Sequence, residues 1–196
     1  MSRREETQAR ILGAATDEFA ARGIAGARVD RIAERSGMSK PMIYAYFGGK
    51  AALFDAVFDA HVGANSERVP FTADDLAGYA VRLYDDYLAD TSLMRLLMWK
   101  RLERTAAAYL YPGLEEIDAQ HIRDIAEQQR LGRIRDDLDP GDVWALLIST
   151  AGTWAQNSIT SVAAAADAAA DHERRRAALA AYVSAALAPS AERRAD

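Results

Sequence analysis

The sequence contains no cysteine. That excludes a disulfide framework, a thiolate metal site and a cysteine nucleophile, and nothing calls for an oxidising compartment. No stretch of ~18 strongly apolar residues occurs, so no transmembrane helix is expected. The opening MSRREETQAR is charged and lacks a following apolar run, so no secretory leader is expected. Apolar–polar alternation with period two is missing throughout, which argues against strands. HExxH, GxSxG, P-loop and GxGxxG motifs are missing as well. Of the three histidines, His61, His121 and His172, only His121 has a carboxylate, Asp118, three residues before it. A di-iron bundle needs two such pairs and two further carboxylates. No metal or cofactor is therefore expected, and an all-α enzyme dependent on His121 stays as an alternative. The chain reads as soluble and cytoplasmic. Its 196 residues suffice for one large domain or a small one joined to a larger one.

Acidic residues outnumber basic ones, for a net charge of −5. The excess is uneven. Residues 1–50 hold nine Lys and Arg against six Asp and Glu, a net of +3, so the other 146 residues carry −8. A mildly basic N-terminal end on an acidic body has the polarity of a nucleic-acid binder.

Helical periodicity runs through the whole chain. A first helix over 5–22 lines one face with Ile11, Leu12, Ala15 and Phe19, and Gly23 ends it. In RVDRIAERSGMSKPMIYAYFGGK, residues 28–50, Val29, Ile32 and Ala33 form one i, i+3, i+4 face, and Ile43, Tyr46 and Phe47 form another. Gly37 breaks the run between them, Ser39 is a good N-cap, and Pro41 sits in a first turn. Ala33, then Gly37, then Ile43 is the spacing of a DNA-binding helix-turn-helix. Lys50 opens a fourth helix that carries Leu53, Phe54, Val57, Phe58, His61 and Val62 and connects two regions.

Val69-Pro70 marks a boundary, after which Thr72 with Asp75 resembles a capping box. The next helix buries Leu76, Tyr79, Ala80, Leu83, Tyr84, Tyr87 and Leu88. Another, capped by Asp90-Thr91-Ser92, runs to about Tyr109 before Tyr111-Pro112-Gly113. A helix over about 114–130 buries Leu114, Ile117, His121 or Ile122, and Ile125, and Gly132 ends it. Asp139-Pro140 starts a helix to about Val162 that is apolar on most sides and expected to be buried on several faces. The alanine-rich run 163–170 fits either helix or a loose joint. A last helix near 172–187 carries Leu179, Tyr182, Val183 and Leu187, before a frayed tail. The expected class is all-α, with about nine helices and no repeat.

With helix 1 and Phe19, Gly23, RIAERSGMSKPMIYAYFGGK and Leu53-Phe54 in place, roughly the first third resembles the TetR family of transcriptional regulators. The rest matches in architecture, an acidic helical body ending in two apolar helices. One departure stands out: the family usually has Thr or Ser just before helix 2, where this chain has Ala27 and Arg28. The resemblance implies a DNA-binding domain over 4–64 and a ligand-binding and dimerisation domain over 70–188. It implies a homodimer through the last two helices, a palindromic operator in double-stranded DNA, and a small-molecule inducer that shifts the spacing of the recognition helices. Repression is the family default, and activation stays open.

Lys40, at the start of the second helix of the motif, is the candidate base reader, most simply of guanine O6/N7. Pro41, Met42 and Ala45 offer apolar contact that suits a thymine methyl. Tyr44 and Tyr46 present hydroxyls to phosphate, although Tyr46 also fits a core role. Arg28 replaces the missing hydroxyl contact, Ser39 caps the helix, and Lys50 adds charge at a helix N-terminus. In the body, His61, Met94, Met98, Trp99, Tyr109, His121, Trp144 and Trp154 are candidates for an aromatic ligand pocket, with Gln156 and Asn157 as further polar groups. Ordinary core packing is the competing reading for each. A ligand-independent regulator and a helical adaptor without DNA binding complete the alternatives.

Overall fold

The computed structural model describes residues 2–104, 109–110, 113–156 and 158–189. Among them are nine α-helices and no strand. They are α1 (Arg3–Gly26), α2 (Val29–Ser36), α3 (Lys40–Phe47), α4 (Lys50–Arg68), α5 (Leu76–Ala89), α6 (Thr91–Glu103), α7 (Leu114–Arg130), α8 (Pro140–Ala151) and α9 (Ala169–Leu187). None is long and apolar enough to cross a membrane. The chain divides into two compact units, residues 1–67 with 90–110, and 68–89 with 111–196. Helix α6 packs in the first unit, against α1.

The first unit is built on α1. Ile11, Ala15 and Phe19 are buried, and Phe19 meets Phe54 of α4 edge-on at 5.2 Å. Val29 and Ile32 of α2 and Ile43 of α3 complete the core of the helix-turn-helix. Gly37 adopts φ 68°, ending α2 with its N–H turned back to the carbonyls of Ala33 and Glu34. Ser39 Oγ accepts from Met42 N–H and opens α3.

Helix α1 does not end where its periodicity stops. Gly23 (φ 72°, ψ −176°) breaks it and a further turn follows. A Cβ at Gly23 would collide with the Glu103 carboxylate and the Trp99 ring, so bulk as well as φ requires glycine here. The break strips backbone groups of intrahelical partners, and α6 supplies replacements. Arg95 Nε (2.7 Å) and Trp99 Nε1 (3.3 Å) donate to Ala20 O. Glu103 accepts from Ile24 N–H (3.0 Å) and Ala25 N–H (2.6 Å).

The absent hydroxyl before α2 also has a substitute. Arg28 makes no side-chain cap, but its N–H donates to the buried Glu18 carboxylate at 3.0 Å. Glu18 also accepts from Arg31 Nε at 2.8 Å and lies 3.9 Å from Arg22. The carboxylate thus faces the positive end of α2 from a neighbouring helix.

In the second unit, Tyr79, Ala80, Leu83 and Tyr84 of α5 pack with Ile125 of α7, Val143 and Leu147 of α8, and Leu179 and Val183 of α9. Three helix limits differ from the sequence expectation. Asp75 caps α5, its Oδ1 accepting from Gly78 N–H, while Thr72 Oγ1 accepts from Arg82 instead. Helix α6 stops at Glu103, short of Tyr109, where Arg104 leaves helical geometry. Helix α8 stops at Ala151, well before Val162. Beyond Gly152, side chains compete for the backbone: Thr153 Oγ1 donates to Thr150 O, and Ser158 Oγ accepts from Thr160 and Ser161 N–H. Residues 163–168 lie outside any helix, and α9 begins at Ala169. Tyr111, Pro112 and Asn157 fall outside the described residues. Ile117, expected to be buried in α7, is exposed.

Burial alone would raise the Glu18 carboxyl, but the bonds from Arg31 and the Arg28 N–H and the charges of Arg31 and Arg22 carry it below its ordinary value. A lowered carboxyl stabilises the fold above its unfolded titration near pH 4.5, and the contribution fades as pH falls through the folded value. Glu18→Gln is expected to destabilise the protein by about 1–3 kcal/mol at neutral pH. Denaturant melts should show the gap from wild type closing as the solution is acidified; a gap constant with pH would refute the charge-based role.

Candidate nucleic-acid interface and sensor region

Helix α3 exposes Pro41, Met42, Tyr44 and Ala45 and buries Ile43. A short helix held by one buried side chain and a capped N-terminus can turn its other face to a groove. Tyr46 is half-buried, with its ring 6.3 Å from Phe47 and beneath the Arg4 guanidinium at 5.9 Å. Ser39, exposed, is occupied as the N-cap. Arg28 is exposed with its side chain outside any hydrogen bond or ion pair among the described residues.

The two lysines are committed. Lys40 Nζ lies 2.9 Å from the carboxylate of Asp30 on α2, and that bond and charge raise its pKa. The pair is open to solvent and screened by it, so a better partner can displace it. Lys50 Nζ donates to Ala25 O (3.1 Å) and Ala27 O (3.2 Å), fastening α4 to the connection between α1 and α2. An ammonium has three N–H groups, which leaves one for a further acceptor. Arg31 and Arg35 hold Glu18 and Asp17. The Asp30–Lys40 pair crosses the turn over ten residues, so no helical spacing in the sequence announces it.

The eight pocket candidates fall in both units. Within the first, His61 bridges Thr16 Oγ1 (Nε2, 3.1 Å) and Asp90 (Nδ1, 2.8 Å), Met94 is buried, Met98 is half-buried, and Trp99 seals the α1 break. Tyr109 is exposed. Within the second unit His121 and Trp144 come together, with ring centroids 4.6 Å apart. Phe71 lies 4.4 Å from His121 and edge-on to both Trp144 (5.3 Å) and Tyr79 (5.1 Å). Burial raises the Asp118 carboxyl against the lowering influence of the neighbouring Trp144 and His121, and pushes the Tyr79 hydroxyl up to about 12. Burial also lowers the pKa of His121 against the pull of Asp118 and Asp124, which favours a neutral ring. Among the described residues its Nδ1 has no hydrogen-bond partner.

Trp154 belongs to a separate group. It packs edge-on to Tyr84 at 5.9 Å, and Tyr84 Oη lies 2.7 Å from Nδ1 of the buried His172. Phe71 and His172 are not among the pocket candidates of the sequence. Phe71 follows Val69-Pro70 in a segment taken only as a boundary, and His172 sits in a charged run, so neither carried a periodic signal.

One outward surface on α8 and α9 is apolar. Leu146 and Tyr182 are 59% and 64% exposed, and they border a groove of about 140 Å3 that Leu138, Leu147, Thr150 and Leu187 also line.

Comparison with known proteins agrees with this arrangement. Residues 11–57 match the model for bacterial regulatory proteins of the tetR family, and residues 75–184 match the tetracyclin repressor-like C-terminal domain. The HTH-type transcriptional repressor SCO4008 of Streptomyces coelicolor is 38% identical over 152 residues, covering 77% of this chain and 79% of that protein. The solved structure of SCO4942, also from Streptomyces coelicolor, is 40% identical with TM-score 0.80, covering 94% of this chain and 99% of the other. GusR of Salmonella enterica, 20% identical with TM-score 0.70 over 95% of this chain and 98% of its own, shares the fold. A helix-turn-helix closed by α4, followed by a helical C-terminal region matched over 110 residues, places this chain in the TetR family of transcriptional regulators.

Proposed function

We propose that the chain is a homodimeric, ligand-released repressor that acts in the cytoplasm. In this reading residues 4–64 bind DNA, and residues 70–188 dimerise and sense a small apolar molecule. The exposed face of α3 carries the reading: Lys40, Pro41, Met42, Tyr44 and Ala45 are turned outward on a helix whose only fully buried residue is Ile43. Lys40 reads a base, the apolar residues favour thymine methyls, and Tyr44, Tyr46, Arg28 and the remaining N–H of Lys50 meet phosphate. The name of SCO4008 supports repression over activation. Two recognition helices on a two-fold axis would meet half-sites ~34–36 Å apart. The exposed Leu146 and Tyr182 supply apolar area for the pairing of α8 and α9.

The sensor assignment rests on the His121–Trp144 cluster with Phe71 and Tyr79. A neutral imidazole with a free ring nitrogen among aromatic faces suits a ligand that is mostly apolar with one hydrogen-bonding group. The competing reading, a regulator with no ligand, takes the same rings as core.

Selection from random duplexes should return a palindrome. On that site Lys40→Ala is expected to cost about 1–3 kcal/mol and to relax one base position. Asp30→Asn should instead strengthen binding, because it releases Lys40. An unchanged preference at every position in Lys40→Ala would remove Lys40 as a reader.

Leu146→Arg combined with Tyr182→Arg is expected to leave a folded monomer by sedimentation, without preference for the palindrome over a single half-site. A dimer persisting in that variant would move the interface elsewhere.

Screening small apolar compounds for release of the selected operator tests the sensor. Trp144→Ala should abolish the response to a releasing compound while operator affinity is kept. A response unaltered by Trp144→Ala places the ligand elsewhere, and a screen with no releasing compound favours the ligand-independent regulator.

A further inference from the structure

Most cations of the first unit are already occupied. Arg31, Arg35 and Lys40 each hold a carboxylate, and Arg104 shares Asp55 with Lys100. Arg10 donates to Ser36 O at the end of α2. Arg3 and Arg4 differ. Both are exposed, and neither has a carboxylate partner among the described residues. Glu5, the next acid in the chain, is engaged by Ser2: its carboxylate accepts from Ser2 N–H while Ser2 Oγ accepts from Glu5 N–H.

Their place in the unit is specific. Arg3, Arg4 and Arg10 line an open cleft of about 620 Å3 whose other walls include Met38, Met42 and Tyr46, with Glu6 as its one acid. Met42 belongs to the outward face of α3, so the cleft opens onto the proposed reading surface. The Arg4 guanidinium lies over the Tyr46 ring at 5.9 Å. A guanidinium held near a ring by cation–π attraction spends no N–H group on it, and its N–H edge can grip a phosphate with two parallel bonds.

We propose that Arg3 and Arg4 form a second backbone clamp, which holds a phosphodiester of the bound duplex beside the recognition helix. The proposal rests on the DNA-binding reading above. The clamp positions the duplex and reads no base, because phosphate contacts carry no sequence information. Tyr46 then acts on DNA as the platform that aims Arg4 as well as through its own hydroxyl.

The test is titration of the full chain with the selected palindrome and with a scrambled duplex over a range of salt. The proteins are wild type, Arg3→Ala/Arg4→Ala, Arg3→Lys/Arg4→Lys, and Arg174→Ala as a surface control. Loss of two phosphate contacts should weaken the alanine pair on both duplexes by the same factor. It should also make its log–log salt slope shallower by about 1.8. The lysine pair should recover the slope, Arg174→Ala should match wild type, and reselection with the alanine pair should return the same motif. An alanine pair with the wild-type slope overturns the clamp, as does a slope that lysine does not restore. A motif altered at one position would assign the arginines to base reading and overturn it too. A wild-type protein that retains no duplex at any salt overturns the DNA reading itself, a failure seen without any variant.

Discussion

A buried chain that turns a corner must find new partners for every N–H and C=O the turn releases. The first unit depends on how this is done between Gly23 and Arg28. Ala20 O goes to Arg95 and Trp99, the N–H groups of Ile24 and Ala25 to Glu103, and the carbonyls of Ala25 and Ala27 to Lys50. The Arg28 N–H goes to Glu18. Side chains from α1, α4 and α6 therefore satisfy one short connection, which fixes where α2 starts and so where α3 lies. None of those bonds is helical, and each is lost if its donor helix shifts. That is why α6, far along the chain, packs as part of the unit that holds the helix-turn-helix.

The same solution explains how the chain does without a hydroxyl before α2. A serine or threonine there would cap the helix locally. Glu18 instead takes a different orphan donor, the N–H of Arg28 itself, from ten residues away, with a full charge and with Arg31 as counter-ion. A buried carboxylate is costly alone, but here its bonds and two guanidiniums outweigh the desolvation, as the lowered pKa records. Arg28 makes no side-chain cap, and among the described residues its side chain has no hydrogen bond or ion pair at the edge of the motif.

What was legible in the sequence was local. The Gly37 turn, the Ser39 cap and the burial of Val29, Ile32 and Ile43 follow from periodicity and cap chemistry within a few residues, while Ala33, Tyr46 and Phe47 of the same faces are only half-buried. What was not legible was carried by distance or by side-chain competition. Glu103 meets Ile24 across 79 residues, and no spacing rule reaches that far. The apolar composition past Gly152 suggested a longer α8, but Ser158 and Thr153 bond to nearby backbone and end it. The exposed residues of α3 could be placed on a wheel. The pocket candidates were chosen by residue type, and type does not say which aromatic meets which; hence Trp99 closes a backbone break while Trp144 meets His121.

Charge shows the limit of the bulk number most plainly. A net charge of −5 argues against a DNA partner only if charges act as a sum. In the folded chain they act by commitment. Arg130 holds Glu127, Arg135 holds Asp137 and Arg175 holds Asp167, so much of the body's charge is cancelled pairwise at contact distance. The field a duplex meets within a Debye length comes from the groups left over near α3. In the proposed reading those groups are Arg3, Arg4 and Arg28, and also Lys40, whose partner Asp30 is itself exposed. An acidic protein can thus present a cationic edge without a basic domain, provided the arginines at that edge are left without acidic partners.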